Sequence, residues 1–404
     1  MNKEKTIVRG LVVLMSLMGL VGLTNSCSND EEPAKGHAEA SEAPVAEVRS
    51  LATYFDEYVA RSRAWTYPTY GDSTYTEYEN GIQPIGIAFT QNDKAALKGT
   101  FSTYTKNGET TWRLIVTDPE RSVDEITAGD YYLYGFIPST SGIILNVTDL
   151  DGKDGVGSGA SYSTGAKVEL NNVPTVMSED LCVVIGAKDG TGKEAVTGLR
   201  RGDFAYNAKT VKGVGEDAMS NFVFLLFDHL YASLRVNMRV QSDYAALRTI
   251  KLKALRLSTK AGGETSREYT TITASLKAND GSKSPITGIT YEQTGKVIGE
   301  DGLTFWWSDD GEALTTSFTE RAGNFMPHNI STLVLTSVYD VYDRKGHLTR
   351  ENCSATNTMA LSDLFTEQAT TQRGKRYTVN LTIQPTYLYV LSDPDLDSPT
   401  VTVE

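Results

Sequence analysis

Apolar and polar residues alternate with a period of two through most of the chain beyond residue 80. Leu234, Val236, Met238 and Val240 fall on one side of such a stretch, and Arg235, Asn237 and Arg239 on the other. Ile250 to Leu257 repeats the pattern, with Lys251, Lys253 and Arg256 facing out. Shorter β-branched or aromatic runs occupy Thr111 to Val116, Tyr131 to Phe136, Leu181 to Ile185 and Phe222 to Phe227. Leu333 to Val341 and Tyr377 to Gln384 complete the series, and Pro385 is expected to end the last. Strands of this length between clusters of Gly, Asp, Asn and Ser predict antiparallel sheets. The 35 glycines against 12 prolines suit a fold with many turns. Helical spacing is confined to Leu361 to Gln368, enough for two turns started by Ser362 or Asp363. The pattern predicts an all-β chain of two antiparallel β-sandwich domains with few short helices.

The N-terminal end reads differently. Lys3, Lys5 and Arg9 precede an apolar run of 14 residues, Gly10 to Leu23. At 1.5 Å per residue that run is too short to cross a hydrocarbon core of roughly 30 Å. A cationic start, a short apolar stretch and small residues describe an export signal, assigned to 1–26. Thr24-Asn25-Ser26-Cys27 resembles a lipobox, although an aliphatic residue usually stands where Thr24 does. Cys27 is the expected lipidation site, and several acyl chains anchor durably where one does not; the alternative is ordinary signal cleavage with Cys27 incidental. Residues 27–49 are acidic at first, then rich in Ala, Glu and Pro, and are expected to form a flexible linker. The rest is long enough for two domains. The softest stretch, Lys209 to Ser220, places their boundary near residue 215, giving 50–215 and 216–404.

Composition removes several classes of function. A formal net charge of −13 and a pI near 4.9 argue against a nucleic-acid partner, which needs concentrated Lys and Arg. Four histidines, at 37, 229, 328 and 347, form no close pair, and no CxxC occurs, so no metal site and no cofactor are expected. GxSxG elbows, P-loops and dinucleotide fingerprints are absent, and no catalytic residue is assigned. Cys182 and Cys353 are expected as buried free thiols, and His229 as a buried, hydrogen-bonded structural residue. Asp149-Leu-Asp151-Gly152-Lys-Asp154-Gly155 echoes a calcium loop without its closing glutamate and reads as a polar hairpin loop. Asp393-Pro-Asp395-Leu-Asp397 reads the same way. Arg201-Gly202-Asp203 is too short a match to count as a recognition tripeptide. Alternation sends one ring of Trp306-Trp307 into the core and leaves the other exposed.

Several segments together resemble the fimbrillin family, the subunits of type V pili. They are Tyr131-Tyr132-Leu133-Tyr134-Gly135-Phe136-Ile137-Pro138, Val173-Pro174-Thr175 with Asp180 and Gly186-Ala187, Phe227-Asp228-His229-Leu230-Tyr231-Ala232-Ser233-Leu234, and Arg373-Gly374-Lys375-Arg376-Tyr377-Thr378-Val379-Asn380-Leu381. These are core and turn residues, so they speak to fold before role. The resemblance implies transthyretin-like, Greek-key sandwiches and a cell-surface pilus subunit that serves adhesion. It further implies export as an outer-membrane lipoprotein and cutting by an arginine-specific protease that removes a first strand. A strand from another pilus subunit then fills the groove. Arg49, Arg61 and Arg63 are the candidate cut sites, the last two favoured, and 50–63 the removable strand. Leu51, Thr53, Phe55, Glu57 and Val59 alternate as a strand would, yet Leu51, Phe55 and Val59 also fit a tethering helix. Tyr387, Leu388, Tyr389, Val390, Leu391, Val401 and Val403, within 385–404 and joined by the turn-rich Ser392 to Pro399, are the candidate donor strands; alternatively they extend the second domain's own sheet. The partners implied are other subunits, the outer membrane through the lipid before processing, and a host or bacterial surface ligand. The rival reading is a monomeric surface lipoprotein that binds a glycan or host ligand through its sandwich loops.

Overall fold

β-Branched and aromatic residues at alternate positions bury one or both faces of the central strands, and two-residue periodicity governs the architecture. The structure is a computed structural model that describes residues 46–54, 84–106, 109–116, 128–140, 142–190, 199–208, 221–299, 302–365, 368–388 and 393–403. In chain order the first strands are β1 (Ala46–Tyr54), β2 (Ile85–Thr90), β3 (Leu97–Lys106), β4 (Glu109–Val116), β5 (Gly129–Ile137), β6 (Ile144–Asp149) and β7 (Gly165–Pro174). There follow β8 (Cys182–Gly190), β9 (Ala205–Ala208), β10 (Asn221–His229), β11 (Ala232–Val240), β12 (Thr249–Ala261), β13 (Glu264–Thr265), β14 (Arg267–Lys277) and β15 (Ile286–Val297). The last are β16 (Leu303–Ala313), β17 (Thr319–Met326), β18 (Thr332–Tyr342), β19 (Leu348–Ala360), β20 (Arg376–Leu388) and β21 (Asp393–Val403). Two single-turn helices, α1 (Ser242–Ala245) and α2 (Leu361–Leu364), are the only helices among the described residues. The chain is all-β, as its pattern predicts.

Four sheets form. Sheet I runs β1-β10-β8-β5-β2-β3-β4, with β9 beside β5; sheet II runs β15-β14-β7-β6. Sheet III runs β17-β11-β20-β21, and sheet IV runs β13-β12-β18-β19 with β16 beside β12. Sheets I and II enclose one apolar cluster, in which Tyr134, Phe136, Val183, Ile185, Phe224 and Leu226 meet Val168, Leu170, Ile272 and Leu276. Sheets III and IV enclose another, built from β11 and β20 against β12 and β18. A third cluster lies on the other face of sheet I, with Ile85, Ile87, Phe89, Leu133, Val184, Leu225 and Phe227. The end strands β1 and β4 approach each other, so sheet I curls around it.

The partition of strands departs from a cut near residue 215, which itself lies outside the described residues. β10, from beyond that point, pairs with β8. The β14–β15 hairpin leaves the second half of the chain and pairs with β7 in sheet II.

Several expectations are corrected by local structure. The helix expected over Leu361 to Gln368 is a single turn, because Phe365 is already extended at φ −132°, ψ 102° and Ala360 provides no side-chain cap. Pro385 does not end the C-terminal strand: β20 continues to Leu388, and Pro385 pairs with Pro399 at a register shift. The neighbour on its other side, β11, runs out at Ile383, so the missing N–H interrupts little. Of the turn expected over Ser392 to Pro399, the part from Asp393 is extended within β21, while Ser392 lies outside the described residues. β1 starts at Ala46, within the stretch read as linker, and is a strand where Leu51 and Thr53 fall. Phe55, Glu57 and Val59 lie outside the described residues.

Candidate functional site

The first candidate is the β1–β10 edge. β10 is buried along Val223 to His229 because its side chains serve both cores, Val223, Leu225 and Phe227 on one face and Phe224 and Leu226 on the other. One of its main-chain edges pairs with β8 and the other with β1, which runs parallel to it from Ala46↔Asn221 to Tyr54↔Asp228. The β1 register slips between Val48 and Ser50, so Arg49 is the residue the ladder skips. A skipped residue is locally unpaired and bends its strand. Arg61, Arg63 and Cys27 lie outside the described residues.

The second is the C-terminal hairpin. Tyr387 and Leu388 lie in β20 opposite Pro394 and Asp393, while Val401 and Val403 lie in β21 opposite Ile383 and Leu381. Val401 is buried in the cluster between sheets III and IV, and Val403 packs against it. Tyr389, Val390 and Leu391 lie outside the described residues. In this chain the strands extend sheet III as its edge.

The third is a polar cluster where β8 and β10 begin and end. The ladder sets His229 directly opposite Cys182, and Asp180 stands two residues before Cys182. His229 Nδ1 is 2.5 Å from Asp180 Oδ2 and 3.5 Å from Cys182 Sγ. The histidine is buried, as expected for a structural residue, whereas Asp180 keeps about a quarter of its side chain exposed (25%). Burial, and then the carboxylates of Asp180 and Asp228, push the Cys182 thiol well above its ordinary value. A nucleophilic cysteine needs a thiolate. A relay further needs thiol and carboxylate on opposite ring nitrogens, whereas here both meet Nδ1. This geometry is not that of a catalytic triad.

Next to the cluster, Arg373 donates to Asp228 Oδ2 at 2.7 Å and to the His229 carbonyl at 3.1 Å. This ties the turn before β20 to the end of β10. Beside Arg373 opens a cavity of about 680 Å³, lined by Asp228, Ile289, Tyr291, His328, Arg373 and Lys375 among others. The Tyr291 and His328 rings meet tilted at 38°, with centroids 5.7 Å apart, and Tyr291 donates its hydroxyl to the Leu230 carbonyl. Burial and the Arg373 charge hold the His328 imidazole below its usual value. The walls combine aliphatic and aromatic surface with the Arg373–Asp228 ion pair and the Lys375 side chain.

Cys182 is buried, Cys353 is half-buried, and both are free thiols. Trp306 packs against the sheet III–IV core, while Trp307 is 69% exposed. In the Asp149 loop, the Asp149 carboxylate accepts from the backbone N–H groups of Asp151, Lys153 and Ser161, which uses it as a turn support. Arg201-Gly202-Asp203 forms a turn in which Gly202 has φ +77°. The Asp180–Cys182–His229 grouping is the feature that sequence reasoning missed. Its signal was Asp and Cys two apart at the head of one strand and His at the foot of another.

No family model and no curated protein matches the chain. Among solved structures it is similar to a candidate cell adhesion protein from Bacteroides fragilis, at 9% identity and TM-score 0.36, covering 90% of this chain and 97% of that one. It is also similar to a fimbrial protein from Bacteroides vulgatus, at 11% identity and TM-score 0.29, with 89% and 98% covered. A third is the fimbrial anchor protein Mfa2 from Porphyromonas gingivalis, at 9% identity and TM-score 0.27, with 89% and 96% covered.

Proposed function

We propose that this chain is a cell-surface pilus subunit that serves adhesion. On this reading it is exported as an outer-membrane lipoprotein through Cys27, trimmed by an arginine-specific protease, and polymerised by strand exchange. The observation that carries the reading is the β1–β10 pairing. β1 is an end strand held by main-chain bonds to a partner that is apolar on both faces. Losing it bares a row of N–H and C=O groups along a strand whose two faces stay packed in cores, a ready template that an incoming strand pairs with. A cut after Arg49 falls at the skipped residue within β1; a cut after Arg61 or Arg63 lies beyond it and frees the whole strand. The fimbrillin-like motifs and the lipobox-like Thr24 to Cys27 support the same reading. The donor would be the β20–β21 end, Tyr387 to Val403, an edge hairpin released from sheet III. The domain division near 215 stands within this proposal, with β10 and the β14–β15 hairpin lent to the first sandwich by the second.

The test is digestion of the full chain with an arginine-specific peptidase, followed by size measurement and N-terminal sequencing. Oligomers that resist dissociation, starting at Ser50, Ser62 or Ala64, are expected, and deletion of Tyr387 to Glu404 abolishes them. A cut chain that stays monomeric overturns the proposal. The cavity beside Arg373 favours one second reading, a surface protein that binds a glycan or host ligand as a monomer. Glycan-array binding lost in Arg373→Ala, without polymer after cutting, would select it.

A further inference from the structure

We infer that Asp180, Cys182 and His229 form a binding site for one divalent cation of the zinc class. The register of β8 against β10 is what assembles it. Directly opposed residues in an antiparallel pair hold their Cβ atoms about 4.5–5.5 Å apart, and the ladder opposes His229 to Cys182. Residues two apart on extended chain share a face, which brings Asp180 to the same side as Cys182. A sulfur, an imidazole nitrogen and a carboxylate oxygen consequently converge, all within 4.8 Å of one another.

The donor set and spacing select the metal. Thiolate, imidazole and carboxylate together suit zinc better than calcium or magnesium, which prefer oxygen alone. With Zn–S near 2.3 Å and Zn–N near 2.05 Å, tetrahedral ligands stand about 3.5 Å apart. The Cys182 Sγ to His229 Nδ1 distance is 3.5 Å. Asp180 Oδ2, at 2.5 Å from Nδ1, must recede to about 3.3 Å for the same geometry. It can do so because Asp180 precedes β8 and is partly solvent-exposed. That exposed side is also the entry path and leaves the fourth position to water. On binding, the thiol proton and any proton shared by His229 and Asp180 leave to solvent. The cation supplies the positive charge that a buried thiolate among carboxylates otherwise lacks. Such an ion would staple β10 to β8 at the end where β1 also terminates, opposite Asp228.

The test is Co²⁺ titration of the full-length protein under reducing conditions, with Zn²⁺ displacement. A thiolate-to-cobalt charge-transfer band, with visible bands of a four-coordinate ion, should saturate at one equivalent and vanish on adding Zn²⁺. Cys182→Ser should lose the band while its metal-free circular dichroism matches the parent. Should that variant fail to fold, Asp180→Asn, at a partly exposed position, should keep the band with affinity weaker by at least about tenfold. No thiolate band at one equivalent overturns the site. So does a band retained in Cys182→Ser, which would place the ion on Cys27 or Cys353, or unchanged affinity in Asp180→Asn. The readout is metal binding alone, so it stands or falls separately from polymerisation.

Discussion

Asp149 supports its loop through three backbone N–H groups, and this makes it a point where pH reaches stability. Burial pushes its carboxyl up, but hydrogen bonds from Lys153, Ser161 and Asp151 outweigh this and hold it below the ordinary carboxylate value. A depressed folded-state value contributes stability that is present above the unfolded value, near 3.9, and lost as pH falls through the folded one. Asp149→Asn should lower stability at pH 7 by about 1–3 kcal/mol. In urea titrations the gap to the parent should narrow by pH 3; an equal gap at both values refutes this. Gly135 makes a second residue-level case. A Cβ there would stand 2.3 Å from the Gly86 carbonyl oxygen, which is backbone and cannot swing away. Gly135→Ala should cost about 1–3 kcal/mol by forcing β2 and β5 apart, and a neutral effect on the thermal midpoint would contradict it. The sequence made His229 readable as a buried structural residue, because it follows an apolar strand. Its partners were not readable, since Cys182 lies 47 positions away and only strand register joins them.

At the scale of elements, legibility followed apolar content. β5, β8, β10, β11, β12 and β18 announced themselves through continuous or alternating apolar runs. β14, β15 and β19 did not, because each is interspersed with Thr and charged or polar residues and much of β15 and β19 faces solvent. Their propensity is that of Thr on a pleated surface, which a hydrophobic pattern cannot register. β1 remained ambiguous because Leu51, Phe55 and Val59 suit either period, and pairing with β10 decided it where it is described. That pairing gives a prediction about β10 itself. After arginine-specific cutting, amides of Asn221 to His229 should exchange faster in a chain lacking Tyr387 to Glu404, where nothing replaces β1. In the cut full-length chain they should stay protected, because a neighbour's strand covers them. Equal protection in both would show that β1 does not guard this edge.

For the molecule as a whole, the connections decide how it unfolds. Two sandwiches joined by a soft linker would melt independently. Here only Leu230 and Tyr231 separate β10 from β11; both are buried, and the Tyr231 hydroxyl is fixed to the Pro174 carbonyl. The β14–β15 hairpin is anchored in sheet II while the strands around it in sequence, β12 and β16, belong to sheet IV. Sheet II cannot release Ile272, Ala274 and Leu276 without pulling on both ends of that hairpin. The expected result is one calorimetric transition whose enthalpy matches its van't Hoff value. Leu276→Ala, a fully buried truncation in the sheet I–II core, should destabilise by about 2–5 kcal/mol. Because the short β10–β11 junction and the β14–β15 hairpin tie the two cores together, it should move the entire transition, including the part that reports on Trp306 in sheet IV. Two transitions, with only the lower one displaced by the substitution, would mean that the hairpin crosses between sandwiches without coupling them.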